Sequence, residues 1–415
     1  MLYLRLFALR RPARYRRSAM TVEDVIAADQ EYILQTYQRP DFVLERGEGC
    51  YLFDTTGQRY LDFVAGIAVN ALGYGDPDVT RAMTTYANGL IHTSNLFYTR
   101  PATELAQRLV QHSFADRVFF GNSGAEAIEG AIKFARKVAR EQGHDDKTTI
   151  VAFSGSFHGR TMGAVAATHR EKYRQPFMPV MPGVRFAPFN DLAAAEAAIT
   201  DDVCAVLVEP VQGEGGLSTA TPEFLRGLRA RCDAVGALLI FDEIQCGMGR
   251  TGTLWAHEFY GVTPDMMTVA KPLGGGLPIG AILMTQAVAD AIHAGEHGTT
   301  FGGGPFVATI AGVVFDKIAD PAFLAHVRDV SDYLDEALHD FASSHPQVRE
   351  LRGRGLMRGI QIEGSAAVLR EVAHSAGLMV ATAGDDVVRL LPPLIIDRQH
   401  VDELVEKLDI AFKQM

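Results

Sequence analysis

Between about Asp78 and Glu296 the chain alternates two kinds of segment, and this alternation narrows its possible folds more than any other feature. Short apolar runs (DRVFFG, TIVAFSG, CAVLVEP, ALLIFDE and MMTVAKP) are separated by stretches with helical apolar spacing, among them Ala102–His112, Ala125–Arg140 and Pro222–Val235. Strands alternating with amphipathic helices predict an α/β fold with a mostly parallel central sheet and helices on both faces. In such a sheet ligands gather at the carboxyl ends of the strands. The polar residues just past the apolar runs are therefore the ones to weigh: Glu209, Asp242, Lys271 and the SGSFHGR loop.

The chain of 415 residues is long enough for a large domain plus a smaller one that need not be continuous. The large domain is expected over 76–305. A helix over Val22–Gln35 and a β-rich stretch, GCYLFDTTGQRYLDF with TTG at a hairpin turn, precede it and give the smaller domain an N-terminal part over 20–75. The rest of that α+β unit is expected over 306–415, with two long helices, strands in LMRGIQIEG and VVRLLPPLII, and a terminal helix.

Residues 1–19, MLYLRLFALRRPARYRRSA, carry six arginines and no acid. They read either as sequence upstream of a true start at Met20 or as a mitochondrial transit peptide, and they are set aside for the fold. Without them the net charge of −11 becomes −17, which argues against nucleic acid or an anionic membrane as the main partner. No run is long enough to span a bilayer. Cys50, Cys204, Cys232 and Cys246 form no CxxC pair and no metal-finger spacing, so free thiols in a reducing compartment and no metal site are expected. The location expected is the cytoplasm, or the mitochondrial matrix if 1–19 is a transit peptide.

Asp242 poses the chemical question, because an ionised carboxylate at the end of a buried strand needs a partner. Arg250 is one possible partner. Lys271 ends the next strand, before a Gly-rich loop; a desolvated lysine is nucleophilic, though a lysine there can also simply reach out to water. In FFGNSGAEAIEGAIKFARK, Ser123 or Asn122 caps a helix whose first N–H groups, at Gly124 and Ala125, suit an anion. Such a cap more often binds nothing. Together, however, the three features are those pyridoxal phosphate needs: a lysine for its aldehyde, an acid for its ring nitrogen and a cradle for its phosphate.

The motifs NSGAEA (122–127), FHGRT (157–161), EPVQGEGG (209–216), DEIQ (242–245), AKPLGGGLPIGA (270–281), HGTTFGG (297–303) and RLLPPL (389–394) occur in the order and spacing of one family. From about Tyr37 to Ile396 the chain resembles class III aminotransferases, most closely the acetylornithine/ornithine aminotransferase group. The resemblance implies a type I pyridoxal-phosphate fold and a homodimer with shared active sites. Lys271 would be the Schiff-base lysine and Asp242 the partner of the ring nitrogen. Gln245 would bond the ring hydroxyl and Phe157 stack on the ring. Ser123, Gly124 and Ala125 would hold the phosphate, joined by Thr300 of the other subunit. Arg160 resembles a substrate-carboxylate binder, with Thr299 and Tyr37 nearby. Glu214 and Arg389 resemble a switch that lets one pocket take both an ω-amino donor and 2-oxoglutarate.

The sequence departs from the family pattern at Ile128, where Asn is usual, and at Gly304, where GGNP becomes GGGP. The latter raises the expectation of a repositioned interface loop. N-acetylornithine is the expected donor, ahead of succinylornithine, ornithine, a carrier-linked lysine and 4-aminobutyrate. An aminomutase or racemase of the same fold would need no second substrate, which Arg160 and the Glu214/Arg389 pair argue against. A non-catalytic pyridoxal-phosphate-binding protein would have little use for both Lys271 and Asp242.

Overall fold

The computed structural model describes residues 20–415, so both readings of the arginine-rich start lie outside the described residues. A seven-stranded sheet organises the middle of the chain. Its order is Arg117–Gly121, Gly280–Met284, Met266–Val269, Leu238–Asp242, Val203–Val208, Thr149–Phe153, Val184–Ala187. Only Gly280–Met284 runs antiparallel to its neighbours.

Alternation along these strands explains why they read as unbroken apolar runs. Ile150, Ala152, Ala205, Leu207 and Ile240 pack on one face, against the helix Gly124–Glu141. Val151, Phe153, Val206, Val208, Leu239 and Phe241 pack on the other, against Phe224, Leu225 and Leu228 of the helix Pro222–Val235. With successive side chains on opposite faces and both faces covered, neither parity can be polar. Each fully buried Leu, Ile, Val or Phe contributes about 1.5–3 kcal/mol. The same parity puts Asp242 on the side of Ile240, facing the helix Gly124–Glu141.

Two four-stranded sheets lie outside this one. The first is Leu44–Glu48, Tyr51–Asp54, Arg59–Asp62 and Leu378–Met379, the second Val348–Arg354, Met357–Ile362, Val387–Leu390 and Ala381–Thr382. Leu378–Met379 pairs in parallel with Arg59–Asp62, so the two ends of the chain share a sheet. The Leu391 and Leu394 N–H groups donate to the Phe63 and Ala71 carbonyls at 2.7 Å each, strengthening that union. The Pro305–Ile318 helix packs on Pro77–Tyr86 and Arg100–Gln111.

The first helix ends at Tyr32, three residues before its expected end. Gln35 Nε2 donates to the carbonyls of Asp29 (2.8 Å) and Ile33 (2.7 Å), closing the helix end with a side chain instead of another turn. The strands Leu44–Glu48 and Val348–Arg354 and the helix Ala366–Ser375 were not anticipated from the sequence. The first of these strands, LERGE, lacks the apolar alternation that marks a strand and is recruited by pairing with Tyr51–Asp54.

Candidate active site

The strand Leu238–Asp242 delivers two adjacent carboxylates, and alternation sends them apart. Glu243 accepts from the N–H groups of Ala256 (2.6 Å) and His257 (2.8 Å), and its burial pushes its pKa up to about 8. Asp242 points the other way, into a cavity of about 450 Å³. Its partner within the chain is His158, whose Nδ1 lies 2.7 Å from Asp242 Oδ2. An ionised carboxylate only accepts, so His158 Nδ1 carries the proton. The N–H of Ile244 donates to the other oxygen at 3.0 Å. Arg250 is not that partner. Fully buried, it donates through Nη1 to the carbonyls of Leu356 and Pro392, and desolvation lowers its pKa to about 9 against the pull of Asp62.

Lys271 begins a single 3₁₀ turn, Lys271–Gly274, just after the strand Met266–Val269, and lines the same cavity. Its φ of +35° is in the left-handed region, which costs a non-glycine residue free energy and marks a backbone held by its surroundings. Burial lowers its pKa, Arg389 adds to the shift, and Asp242 opposes it. The neutral, nucleophilic amine is thereby favoured.

A third wall is the start of the helix Gly124–Glu141. Ser123 Oγ accepts from the Glu126 N–H (3.2 Å), and Glu126 reaches back to the Asn122 N–H (2.8 Å). These bonds fix the turn and leave Gly124 and Ala125 facing the cavity at the positive end of the helix dipole. Phe157 and Ile244 supply apolar surface.

At the mouth, the exposed Arg160 holds its guanidinium 3.7 Å from the centroid of the Tyr173 ring, a cation–π contact that orients it. Glu214 Oε1 pairs with Arg389 Nη1 at 2.7 Å, and Arg389 is only 3% exposed. Arg389 Nη1 also reaches Gln245 Oε1 (3.3 Å) and the Gly213 carbonyl (3.1 Å). Gly213 has no room for a side chain, since a methyl there would sit 2.4 Å from Gln245 Oε1.

The cavity thus gathers Ser123, Gly124, Ala125, Phe157, Arg160, Glu214, Asp242, Gln245 and Lys271, with Arg389 behind Glu214. Three expected residues are not brought into it by a single chain. Thr299 Oγ1 accepts from Asn122 Nδ2 (3.0 Å) just behind the cavity wall. Thr300 is exposed on the loop that follows. Tyr37 is 74% exposed, its ring near Arg39. His158 was missed in the sequence although it stands inside a quoted motif, because its partner is 84 positions away and no spacing announces the pair.

The donor set fits pyridoxal 5′-phosphate. It offers a lysine of lowered pKa, a carboxylate with a fixed orientation and a helix N-terminus around one partly apolar space. His158 Nε2, buried without a partner, belongs to the same enclosure.

Comparison with known proteins agrees with this chemistry. A family model described as aminotransferase class-III matches residues 32–412. The chain is 54% identical to the mitochondrial acetylornithine aminotransferase of Alnus glutinosa, over 93% of this chain and 87% of that protein. It is 46% identical to the succinylornithine transaminase of Yersinia pseudotuberculosis, over 93% and 95%. Among solved structures, the ornithine aminotransferase of Toxoplasma gondii, with pyridoxal phosphate at partial occupancy in its active site, superposes with a TM-score of 0.90 at 29% identity, covering 95% of each chain. The chain belongs to the class III aminotransferases, enzymes of the type I fold that transfer an amino group with pyridoxal phosphate.

Proposed function

We propose that this aminotransferase moves the terminal amino group of N-acetylornithine to 2-oxoglutarate, giving the semialdehyde and glutamate in arginine biosynthesis. The observation that carries the reading is the Glu214–Arg389 pair at 2.7 Å, in the same cavity as an exposed Arg160. A donor that reacts through its far amine brings no carboxylate to that end, and Glu214 masks Arg389 from it. A dicarboxylate acceptor brings one, displaces Glu214 and takes Arg389 in a bidentate pair. Names of relatives support acetylornithine or succinylornithine, which differ only in the acyl group beyond the reacting end.

The bound cofactor supplies an electron sink for the carbon that gains or loses the amine. Lys271 is assigned covalent attachment and proton transfer. Asp242, oriented by His158, keeps the ring nitrogen protonated. Gln245 is assigned the ring hydroxyl, Phe157 the ring face, and Ser123, Gly124 and Ala125 the phosphate. Arg160 is assigned the donor carboxylate.

We further infer a homodimer with shared sites. Leu96, Phe97 and Tyr98 are 86%, 71% and 104% exposed, with Leu90, Ile91 and Phe301 beside them. Asn95 ties this segment to the carbonyls of Thr299 (3.0 Å) and Gly302 (3.1 Å), and His92 packs on Phe301. An apolar surface of this kind calls for cover. A second subunit there brings its own Thr300 to the phosphate, and the exposed Tyr32, Ile33, Leu34 and Tyr37 make a further contact. Four buried, unpaired cysteines suit a reducing compartment, and we place the enzyme in the cytoplasm. Among the described residues no helix is long and apolar enough to cross a membrane.

The deciding experiment adds each amine singly to the holoenzyme without an acceptor and follows cofactor absorbance. Rapid conversion by N-acetylornithine and not by ornithine or 4-aminobutyrate is expected. Equal conversion by ornithine would overturn the substrate assignment.

A further inference from the structure

The carboxylate of Glu209 sits in the cavity wall and forms no ion pair among the described residues, and the chemistry assigned above does not use it. It directly follows the buried strand Val203–Val208 and is 6% exposed. Its oxygens go to two different segments. Oε1 accepts from the N–H of Phe157 at 2.9 Å, and Oε2 from the N–H of Gly213 at 3.0 Å. Burial raises its pKa and the Asp242 charge adds to the rise, while the His158 charge and the two backbone N–H groups hold the rise in check. A buried carboxylate is a costly way to satisfy backbone N–H groups, so its chemistry has to offer something a neutral side chain does not.

In the ionised form that its two N–H contacts favour, it offers two acceptors and no donor. A glutamine could satisfy one of the two N–H groups but would turn an amide N–H towards the other. The two segments are the ones that carry the substrate arginines' surroundings. Phe157 begins the run that ends in Arg160, and Gly213 precedes Glu214. The Gly213 peptide is held from its other side by Arg389 Nη1 on its carbonyl (3.1 Å), and the Glu214 carbonyl accepts from Arg170 Nη2 (2.9 Å). Strand end, Glu209, Phe157 segment and Gly213 segment are therefore tied together in one wall of the cavity.

We propose that Glu209 is a positioning residue that fixes the span between the two carboxylate-binding ends of the site, Arg160 on one segment and the Glu214–Arg389 pair on the other. When Arg389 exchanges Glu214 for a substrate carboxylate, the loop loses that ion pair. Glu209 keeps the Gly213 peptide in place, so that Glu214 returns to the same position after each half-reaction. The inference rests on the proposed alternation of donor and 2-oxoglutarate in one pocket.

The test is a double-mutant cycle on the holoenzyme: wild type, Glu209→Gln, Glu214→Ala and the double variant. kcat/KM for 2-oxoglutarate is measured in steady-state turnover with the amine donor, where Glu214 must leave and return in every cycle. Loss of one buried hydrogen bond predicts that Glu209→Gln lowers it about tenfold in the wild type. In the Glu214→Ala background the same change is expected to have less than about a twofold effect, because the loop then has no switch to position. Equal losses in both backgrounds would mean a merely structural role and would overturn the proposal. A wild type that does not accept 2-oxoglutarate would instead remove the reading underneath.

Amide hydrogen exchange on the wild type decides this tie independently of that reading and of whether Glu209→Gln folds. The Phe157 and Gly213 N–H groups should be protected to a similar degree. Free exchange at either one would show that Glu209 does not span them.

Discussion

On the floor of the cavity, the charged side chains find partners within one chain. Asp242 has His158 and the Ile244 N–H, Glu209 has the Phe157 and Gly213 N–H groups, and Glu214 has Arg389. At the rim, Leu96, Phe97, Tyr98 and Phe301 stand in solvent, and Thr300, expected at the phosphate, faces outward. The difference separates two levels of assembly. Folding of a single chain fixes the charged groups of the cavity, since burying them unpaired would cost several kcal/mol each. On the dimer proposed above, a second copy would cover this rim and close the site over substrate and phosphate.

The largest effect expected tests the floor. Lys271→Ala should lower turnover by more than about a thousandfold and abolish the absorbance of covalently held cofactor. Turnover at the wild-type rate would refute its assignment. The lowered pKa of Lys271 adds a pH dependence with a definite sign. The neutral amine captures the cofactor, so capture by apoenzyme should speed up as pH rises and level off below the ordinary lysine value of 10.5. A rate still climbing through that pH would show an ordinary lysine.

Asp242→Asn should cost about a hundredfold in kcat, the scale of losing one preorganised electrostatic contact. His158→Ala should cost less, about tenfold, because Asp242 keeps its charge and loses only its orientation. Steady-state rates at saturating cofactor measure both. A larger loss for His158→Ala than for Asp242→Asn would mean that His158 touches the reacting groups itself.

At the rim, Leu96→Asp with Tyr98→Asp should convert a dimer to folded monomers with less than about a tenth of wild-type activity, read by sedimentation and by the rate. An active, stable monomer would erase the contrast between floor and rim. The smallest effect concerns the same loop. Gly304 precedes the helix Pro305–Ile318 with φ −52° and ψ 142° and no side-chain cap, and a methyl there meets nothing nearer than 3.3 Å. Nothing in its backbone requires glycine. Gly304→Asn, which restores the family's residue, should add a few tenths of a kcal/mol by capping the helix, about 1 °C in Tm. A loss of stability would show that the loop has moved to a position asparagine cannot share.

The sequence by itself determined the parts whose signal is local. Apolar runs bounded by Gly, Pro and charge mark five of the seven strands of the large sheet because both of their faces are covered; Val184–Ala187 and Gly280–Met284 carry no such reading. The residues just beyond those runs had to include the site, because parallel strands end on one edge. Lys271, Asp242 and the Ser123–Ala125 turn were legible for that reason. What only the tertiary structure decided are relations across many residues: His158 on Asp242, Glu209 on both Phe157 and Gly213, Glu214 on Arg389, and Leu378–Met379 beside Arg59–Asp62. Burial periodicity is written into neighbouring residues because each must satisfy its own solvation. Which partner a buried polar group finds depends on how sheets and loops close in space, and sequence distance carries no trace of it.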